Sequence, residues 1–308
     1  MPPVVALIGP TGTGKSDIAM QAALRANAVI VAVDAFTVYR QLSIGTAKPS
    51  VADQQHVPHR MVDMLDVEED CTVGWFQSLA RQAIKETASQ QRPVLLVGGS
   101  GLYFRAVVDR LEFPPTDVTV RAEVQARVER DPTSAFTELT ARDPEAAGRI
   151  DADNIRRITR ALEVIALTGR RFSAYRTAWE THQSIYPSLR VIGLQVPREV
   201  LWDRIADRVR RMREAGWEQE CRDLLDRSLS PTAAQAIGYA EILQHLREPE
   251  RSEMDEVLQR IIFRTRRFAG RQRRWFTADP RVEWTAPDQA MKPVLAALTA
   301  PIPPSAHG

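Results

Sequence analysis

The sequence predicts an α/β protein in which a parallel sheet carries a helical insertion, and three observations lead there. Short apolar runs at residues 4–8, 29–33 and 94–97 alternate with helical patterns through the first third of the chain, as buried parallel strands do when helices cover both faces of a sheet. Between Phe113-Pro114-Pro115 and Tyr186-Pro187 the strand signal stops and helical spacing takes over. Val191, Ile192 and Leu194, just before Pro197, then mark a return to the sheet. This places a core in residues 1–115 and 189–300, a helical insertion in 116–188 and a disordered tail in 301–308, where Pro-rich sequence has nothing to pack against.

The first strand runs straight into Gly9-Pro10-Thr11-Gly12-Thr13-Gly14-Lys15-Ser16, and Ile18, Ala19, Ala22 and Ala23 then follow at helical spacing. Strand, G-x-x-x-x-G-K-S loop and helix together make a phosphate-binding loop. Its glycines let backbone N–H groups converge on an anion beside the positive end of a helix. Lys15 neutralises the outer phosphate, and the Ser16 hydroxyl suits a Mg²⁺ that bridges two phosphates.

The second strand leads to Asp34, and ligands of open parallel sheets bind at the carboxyl ends of strands. Asp34 is therefore expected to face the bound phosphates, where a carboxylate serves to hold Mg²⁺ or to take a proton; a turn or cap role is the alternative. The third strand ends in Val97-Gly98-Gly99-Ser100. It lacks the acid that metal-dependent NTP hydrolysis uses there. Two glycines and a small hydroxyl would let a bulky group come close to the loop, or they form a turn that opens the next helix.

In the insertion, Val120, Val124 and Val128, and later Ile155, Ile158, Leu162 and Ile165 before Gly169, have helical periods. Leu201, Ile205, Val209 and Met212 predict a helix that ends near Gly216. From residue 258 to 276, Arg260, Arg264, Arg267, Arg271 and Arg274 fall within a wedge about 80° wide, with Leu258, Ile261, Thr265, Phe268, Gln272 and Trp275 opposite. Aligned arginines repel one another, so an anionic partner or nearby carboxylates should compensate. Arg156, Arg157 and Arg160, with Arg170 and Arg171, form a second basic area, and both areas suit a nucleic-acid backbone.

Composition sets outer limits. With 44% hydrophobic and 26% charged residues and a net charge of +2, the 308-residue chain reads as an ordinary globular protein. No signal peptide or membrane span is expected, which makes the cytoplasm the natural compartment. Cys71 and Cys221 stand apart from any other Cys or His at metal spacing, so structural zinc is not expected.

In series, GPTGTGKS, Asp34 with Val38-Tyr39-Arg40, IGTAKP at 44–49, PHR at 58–60, VGGSGLYF at 97–104, Arg160-Ala161-Leu162-Glu163, Ala236-Ile237-Gly238-Tyr239 and Arg271-Gln272 resemble the tRNA dimethylallyltransferase family from about residue 4 to 276. The resemblance implies a P-loop NTPase-like core whose helical insertion embraces a tRNA anticodon stem-loop. It implies transfer of a dimethylallyl group from dimethylallyl diphosphate to N6 of the adenosine beside the anticodon, with Mg²⁺ on Ser16. A monomer that requires no protein partner is the default expectation. Asp34, Lys15 and Ser100 would be catalytic. The loop from Gly9, Pro10, Thr11, Gly12, Thr13 and Gly14 to Lys15 and Ser16 would hold the diphosphate, together with Arg266 and Arg271. Asp34, Ala35, Phe36, Thr37, Ser100 and Arg121 would face tRNA. So would Arg156, Arg157, Ile158, Thr159 and Arg160, and Gln235, Ala236, Ile237, Gly238 and Tyr239. The chain departs from the family's usual pattern at Ala35 and Thr37, where Ser and Gln are common, at Ser100 in place of Thr, and at Gly270 and Arg274 in place of Lys and Thr. A small-molecule P-loop kinase, an adenylate isopentenyltransferase and a non-enzymatic RNA-binding protein are the competing readings.

Overall fold

The structure, a computed structural model, describes residues 2–175, 179 and 181–301. The predicted tail, from residue 302 onward, lies outside the described residues.

Six strands form one sheet in the order β3-β2-β4-β1-β5-β6. They are β1 (Val4–Ile8), β2 (Val29–Ala32), β3 (His59–Arg60), β4 (Val94–Gly98), β5 (Arg190–Leu194) and β6 (Val282–Thr285). Every pairing is parallel. β1 lies at the centre, with Leu7 opposite Val97 on one side and Ile192 on the other. All five of its residues are buried, which is why the strand reads as an unbroken apolar run. β3 and β6 carry no such signal. The two residues of β3 and the half-exposed Val-Glu-Trp-Thr of β6 are edge strands, each paired to a single neighbour.

The core on one face of the sheet joins Val5, Leu7, Ile30, Leu95 and Ile192 to Ala19, Ala22 and Ala23 of the helix Lys15–Ala26 and to Val294 and Leu298 near the carboxyl end. Small alanines let that first helix lie close to the strands. The helix Arg198–Glu214 buries Leu201, Ile205, Val209 and Met212, at the spacing read from sequence. The arginine helix, Met254–Thr277, buries Val257, Leu258, Ile261, Ile262, Ala269, Gln272 and Phe276. Trp275, expected on the packed face, is 43% exposed. It lies against Gly101, where a Cβ would collide with the indole.

The chain divides into two compact units: one reaches Val108 and resumes at Tyr186, and the other spans Asp109–Ile185. The expected insertion, 116–188, starts later because its flanks carry no strand or helix signal. In the structure those flanks pair with each other, with Asp109 bridged to Ser184 and the Arg110 amide donating to the Gln183 carbonyl at 3.2 Å. Within this unit the helices Val118–Arg130, Pro132–Arg142 and Ile155–Thr168 pack Val124, Val128, Leu139, Ile158, Leu162 and Ile165 into a core of their own. Asp117, Asp131 and Asn154 cap these three helices by accepting from amides of the first turn.

Candidate active site

A cavity of about 490 Å³ opens at the carboxyl ends of β1, β2 and β4. Its floor is the phosphate loop. Gly14 adopts φ +87°, a left-handed turn that ordinary residues avoid, and the helix starting at Lys15 has no side-chain cap. The amides of its first turn are thus left for an anion. Thr11, Gly12, Gly14, Lys15 and Ser16 line the cavity. Thr13 does not: it is fully buried, and its hydroxyl donates to the Pro10 carbonyl at 2.9 Å, which fixes the loop's shape.

Lys15 folds back on the loop, with Nζ donating to the carbonyls of Gly9 at 2.8 Å and Pro10 at 2.7 Å. Burial lowers its pKa to about 7, Arg208 pushes in the same direction, and Asp34 opposes both. Asp34 stands just past the end of β2, one of its oxygens accepting the Phe36 amide at 2.9 Å. Burial raises its pKa above the ordinary carboxylate value; the Phe36 amide, Lys15 and Arg208 partly offset this. Arg208, from the helix Arg198–Glu214, completes the trio. Among the described residues it forms no hydrogen bond or ion pair, and burial depresses its pKa. Two cations therefore face one carboxylate across a cavity, an arrangement short of negative charge.

Sequence reasoning missed Arg208. It sits three positions beyond the buried Ile205, at the edge of that helix's packed face, so only the helix's docking on the sheet shows where it points.

The structure gathers some of the expected residues and separates others. Phe36 and Thr37 line the cavity, as do Ala236 and Ile237, whereas Ala35 is 7% exposed and turned into the protein. Gly238 packs against Trp217, and Tyr239 is fully buried, so neither is a surface for RNA. Gln235 is exposed, its amide donating to the Pro231 carbonyl. Ser100 does not line the cavity; its carbonyl accepts the Phe104 amide at the start of a helix.

The glycines before Ser100 serve the protein itself. A Cβ on Gly98 would strike the Val33 carbonyl, and one on Gly99 would strike Gln272. Gln272 donates to the Gly99 carbonyl and accepts from the Thr11 amide, each at 2.9 Å. Both glycines also line the cavity beside the phosphate loop, as expected, and their missing side chains make room in addition for the Val33 backbone just past β2 and for a side chain of the arginine helix.

Arg266 and Arg271, expected on the diphosphate, do not line this cavity. They border a second one, of about 1760 Å³, with Pro10, Arg198, Trp202 and Arg274. Arg266 donates to the Trp202 carbonyl at 3.2 Å, and Trp202 lies beneath the guanidinium groups of both Arg198 and Arg266. Helical phase is the reason. Gln272 points toward the phosphate loop, which turns its neighbour Arg271 about 100° away. Of the aligned arginines, Arg264 pairs with Glu241, while Arg267 and Arg271 lie over Phe263 and Phe268.

In the helical unit, Ile158 and Thr159 are 0% and 5% exposed and belong to its interior. Arg121 and Arg160 converge on the buried Glu163, at 3.1 and 2.8 Å, and Arg160 also donates to the carbonyls of Pro114 and Pro115. Both are engaged in holding the unit together. Arg156 and Arg157 are exposed.

No group of three or more His, Cys, Asp or Glu residues suited to a metal occurs among the described residues. Ser16 makes no side-chain hydrogen bond among the described residues, and Asp34 lies in the same cavity. This fits a Mg²⁺ bound through one or two protein oxygens and otherwise by substrate phosphates and water.

A family model described as IPP transferase matches residues 37–279. A tRNA dimethylallyltransferase of Kocuria rhizophila is 44% identical over 92% of this chain and 88% of the relative. One from Streptomyces coelicolor is 43% identical over 92% and 90%. Among solved structures, a tRNA isopentenylpyrophosphate transferase from Bacillus halodurans aligns over 97% of both chains, with a TM-score of 0.69 and 34% identity. A eukaryotic dimethylallyltransferase acting on tRNA shares the fold, with a TM-score of 0.81 at 23% identity over 96% of this chain and 78% of the other.

Proposed function

The chain belongs to the IPP transferase family, and on that premise we propose that it is a tRNA dimethylallyltransferase. It moves the dimethylallyl group of dimethylallyl diphosphate to N6 of the adenosine at position 37, next to the anticodon, in tRNAs that read codons beginning with U. The observation that carries this reading is the meeting of Lys15, Arg208 and Asp34 in one cavity. The cations suit a departing diphosphate, and the carboxylate suits a proton that must leave the nucleophile.

In the reaction the allylic C–O bond breaks and its electron pair leaves with the diphosphate. The lone pair of N6 forms the new C–N bond. The nitrogen becomes cationic as it bonds, and Asp34 takes its proton. Burial makes Asp34 a stronger base than a surface carboxylate, and positioned proton transfer contributes about 10² to 10⁴ in rate. Lys15 exchanges its two loop carbonyls for phosphate oxygens, and Arg208 gains the anion it lacks. Held in place before the reaction, both charges stabilise the leaving group without reorganising. Ser16 would hold a Mg²⁺, which when bound would neutralise further diphosphate charge.

The Gly98-Gly99 end of β4 supports this reading over phosphoryl transfer, because no acid stands there to hold a second face of a metal. The target base must leave its stack to enter such a cavity. A direct test mixes the protein with unmodified tRNA, Mg²⁺ and dimethylallyl diphosphate, digests the RNA and weighs its adenosines. Parallel reactions replace the donor by ATP or the tRNA by AMP. Prenylated adenosine from tRNA alone is expected; prenylated AMP, or phosphate transfer from ATP, overturns the assignment.

A further inference from the structure

Two walls of the cavity are tied together by groups that do not reach its interior. One wall is the loop from Gly45 to Pro49, and another is the segment Ala236-Ile237. Glu220, on the short helix Trp217–Arg222, accepts the amides of Ser43 at 3.1 Å and Ile44 at 3.0 Å, immediately before the first wall. It also accepts the Tyr239 hydroxyl at 2.5 Å, and Tyr239 follows the second wall by two residues. The Tyr239 oxygen in turn accepts the Gly45 amide at 3.0 Å. A single carboxylate–phenol pair thus holds both walls.

Packing around this pair leaves no slack. Trp217, 1% exposed, meets Tyr239 edge-on with ring centroids 5.6 Å apart, and a Cβ on either Gly45 or Gly238 would overlap its indole. The far end of the loop is anchored separately: Lys48 Nζ donates to the Tyr39 carbonyl at 2.6 Å and pairs with Asp63 at 2.5 Å. Burial pushes the Tyr239 phenol far above its usual pKa, and Glu220 adds to the effect, so the phenol remains a donor at every working pH.

We propose that Glu220 is a positioning residue which, through Tyr239, fixes the spacing between the Gly45–Pro49 and Ala236-Ile237 walls, so that donor and acceptor meet at a reactive separation. The proposal rests on the prenyl transfer assigned above. Glu220 touches neither substrate; its effect passes through the walls. A displacement of about 1 Å at a reacting pair can cost about a hundredfold in rate.

Three variants separate this role from simple stability. Glu220→Ala removes every acceptor, Glu220→Gln keeps an oxygen for the two amides, and Tyr239→Phe cuts only the link between walls. Glu220→Ala and Tyr239→Phe are expected to raise KM for dimethylallyl diphosphate or for tRNA at least fivefold and to lower kcat/KM at least tenfold, both counted per folded molecule. Glu220→Gln should recover most of the loss. If kcat falls only with the folded fraction and both KM values hold, the proposal is overturned. A second arm needs no turnover: hydrogen exchange at the Ser43 and Ile44 amides should quicken at least tenfold in Glu220→Ala. If the wild-type protein transfers no prenyl group, the assigned function fails by itself, and unchanged exchange at Ser43 and Ile44 would then separately overturn the latch.

Discussion

Gln272 holds the Thr11 amide at 2.9 Å and thereby stitches the middle of the arginine helix to the phosphate loop. With its other end on the Gly99 carbonyl, a side chain only 6% exposed satisfies a donor and an acceptor from two different loops. Gln272→Ala leaves both unpaired. The expected cost is about 1–3 kcal/mol in thermal or denaturant unfolding, with a raised KM for the diphosphate donor because the loop loses its brace. An unchanged melting temperature would show that the two loops hold their shape alone.

Asp34→Asn should preserve the binding of tRNA and donor while reducing kcat by at least a hundredfold, since the amide cannot take the proton from N6. In the wild type, rate requires the ionised carboxylate. Because burial raises its pKa in the free site, the acid limb of the kcat/KM profile is expected at a higher pH than for an exposed aspartate. The same profile in Asp34→Asn should lose that limb.

Lys15 gives the alkaline side. In the free site its pKa is lowered to about 7 by burial, then by Arg208, so above that pH a growing share of molecules must pick up a proton before gripping diphosphate. The predicted result is that kcat/KM for the donor declines above about pH 7, by up to tenfold per unit. At saturating donor kcat should stay level, because the bound anion restores the charge. Lys15→Met should abolish this decline and depress kcat/KM at all pH values.

Glu163 supports the helical unit. Burial pushes its pKa up, but the Thr116 hydroxyl, Arg160 and Arg121 outweigh that, and the net shift is downward. A carboxylate depressed on folding stabilises the native state above its unfolded pKa, and this contribution is lost as pH falls through the folded value. Glu163→Ala removes the acceptor shared by Thr116, Arg160 and Arg121; because Arg121 is partly exposed and Arg160 keeps the Pro114 and Pro115 carbonyls, the expected cost is about 1–3 kcal/mol. Faster limited proteolysis within residues 109–185 would report it.

Much of this protein is legible in its sequence. Strands β1, β2, β4 and β5, the phosphate loop and the long helices announce themselves because a buried strand or amphipathic helix needs apolar residues at a fixed local period. Asp34 was legible by its place after a strand. Other features depended on partners distant in the chain. β3 and β6 are edge strands defined by pairing with β2 and β5 rather than by an apolar pattern of their own. Arg208 reaches Asp34 and Lys15 only because its helix docks on the sheet. The same arginine-rich helix that looked like one cationic face is divided by its packing: Gln272 turns to the loop, Arg266 and Arg271 to another cavity, Arg264 to Glu241. Likewise, Thr159, Ile158 and Tyr239 matched a family motif yet lie inside the protein. Local periodicity and loop chemistry are written in neighbouring residues, so the sequence by itself determined the class of fold and the anion site. Which side chains meet across that site was decided by tertiary packing, because a helix's phase against its neighbour is settled only when both are buried together.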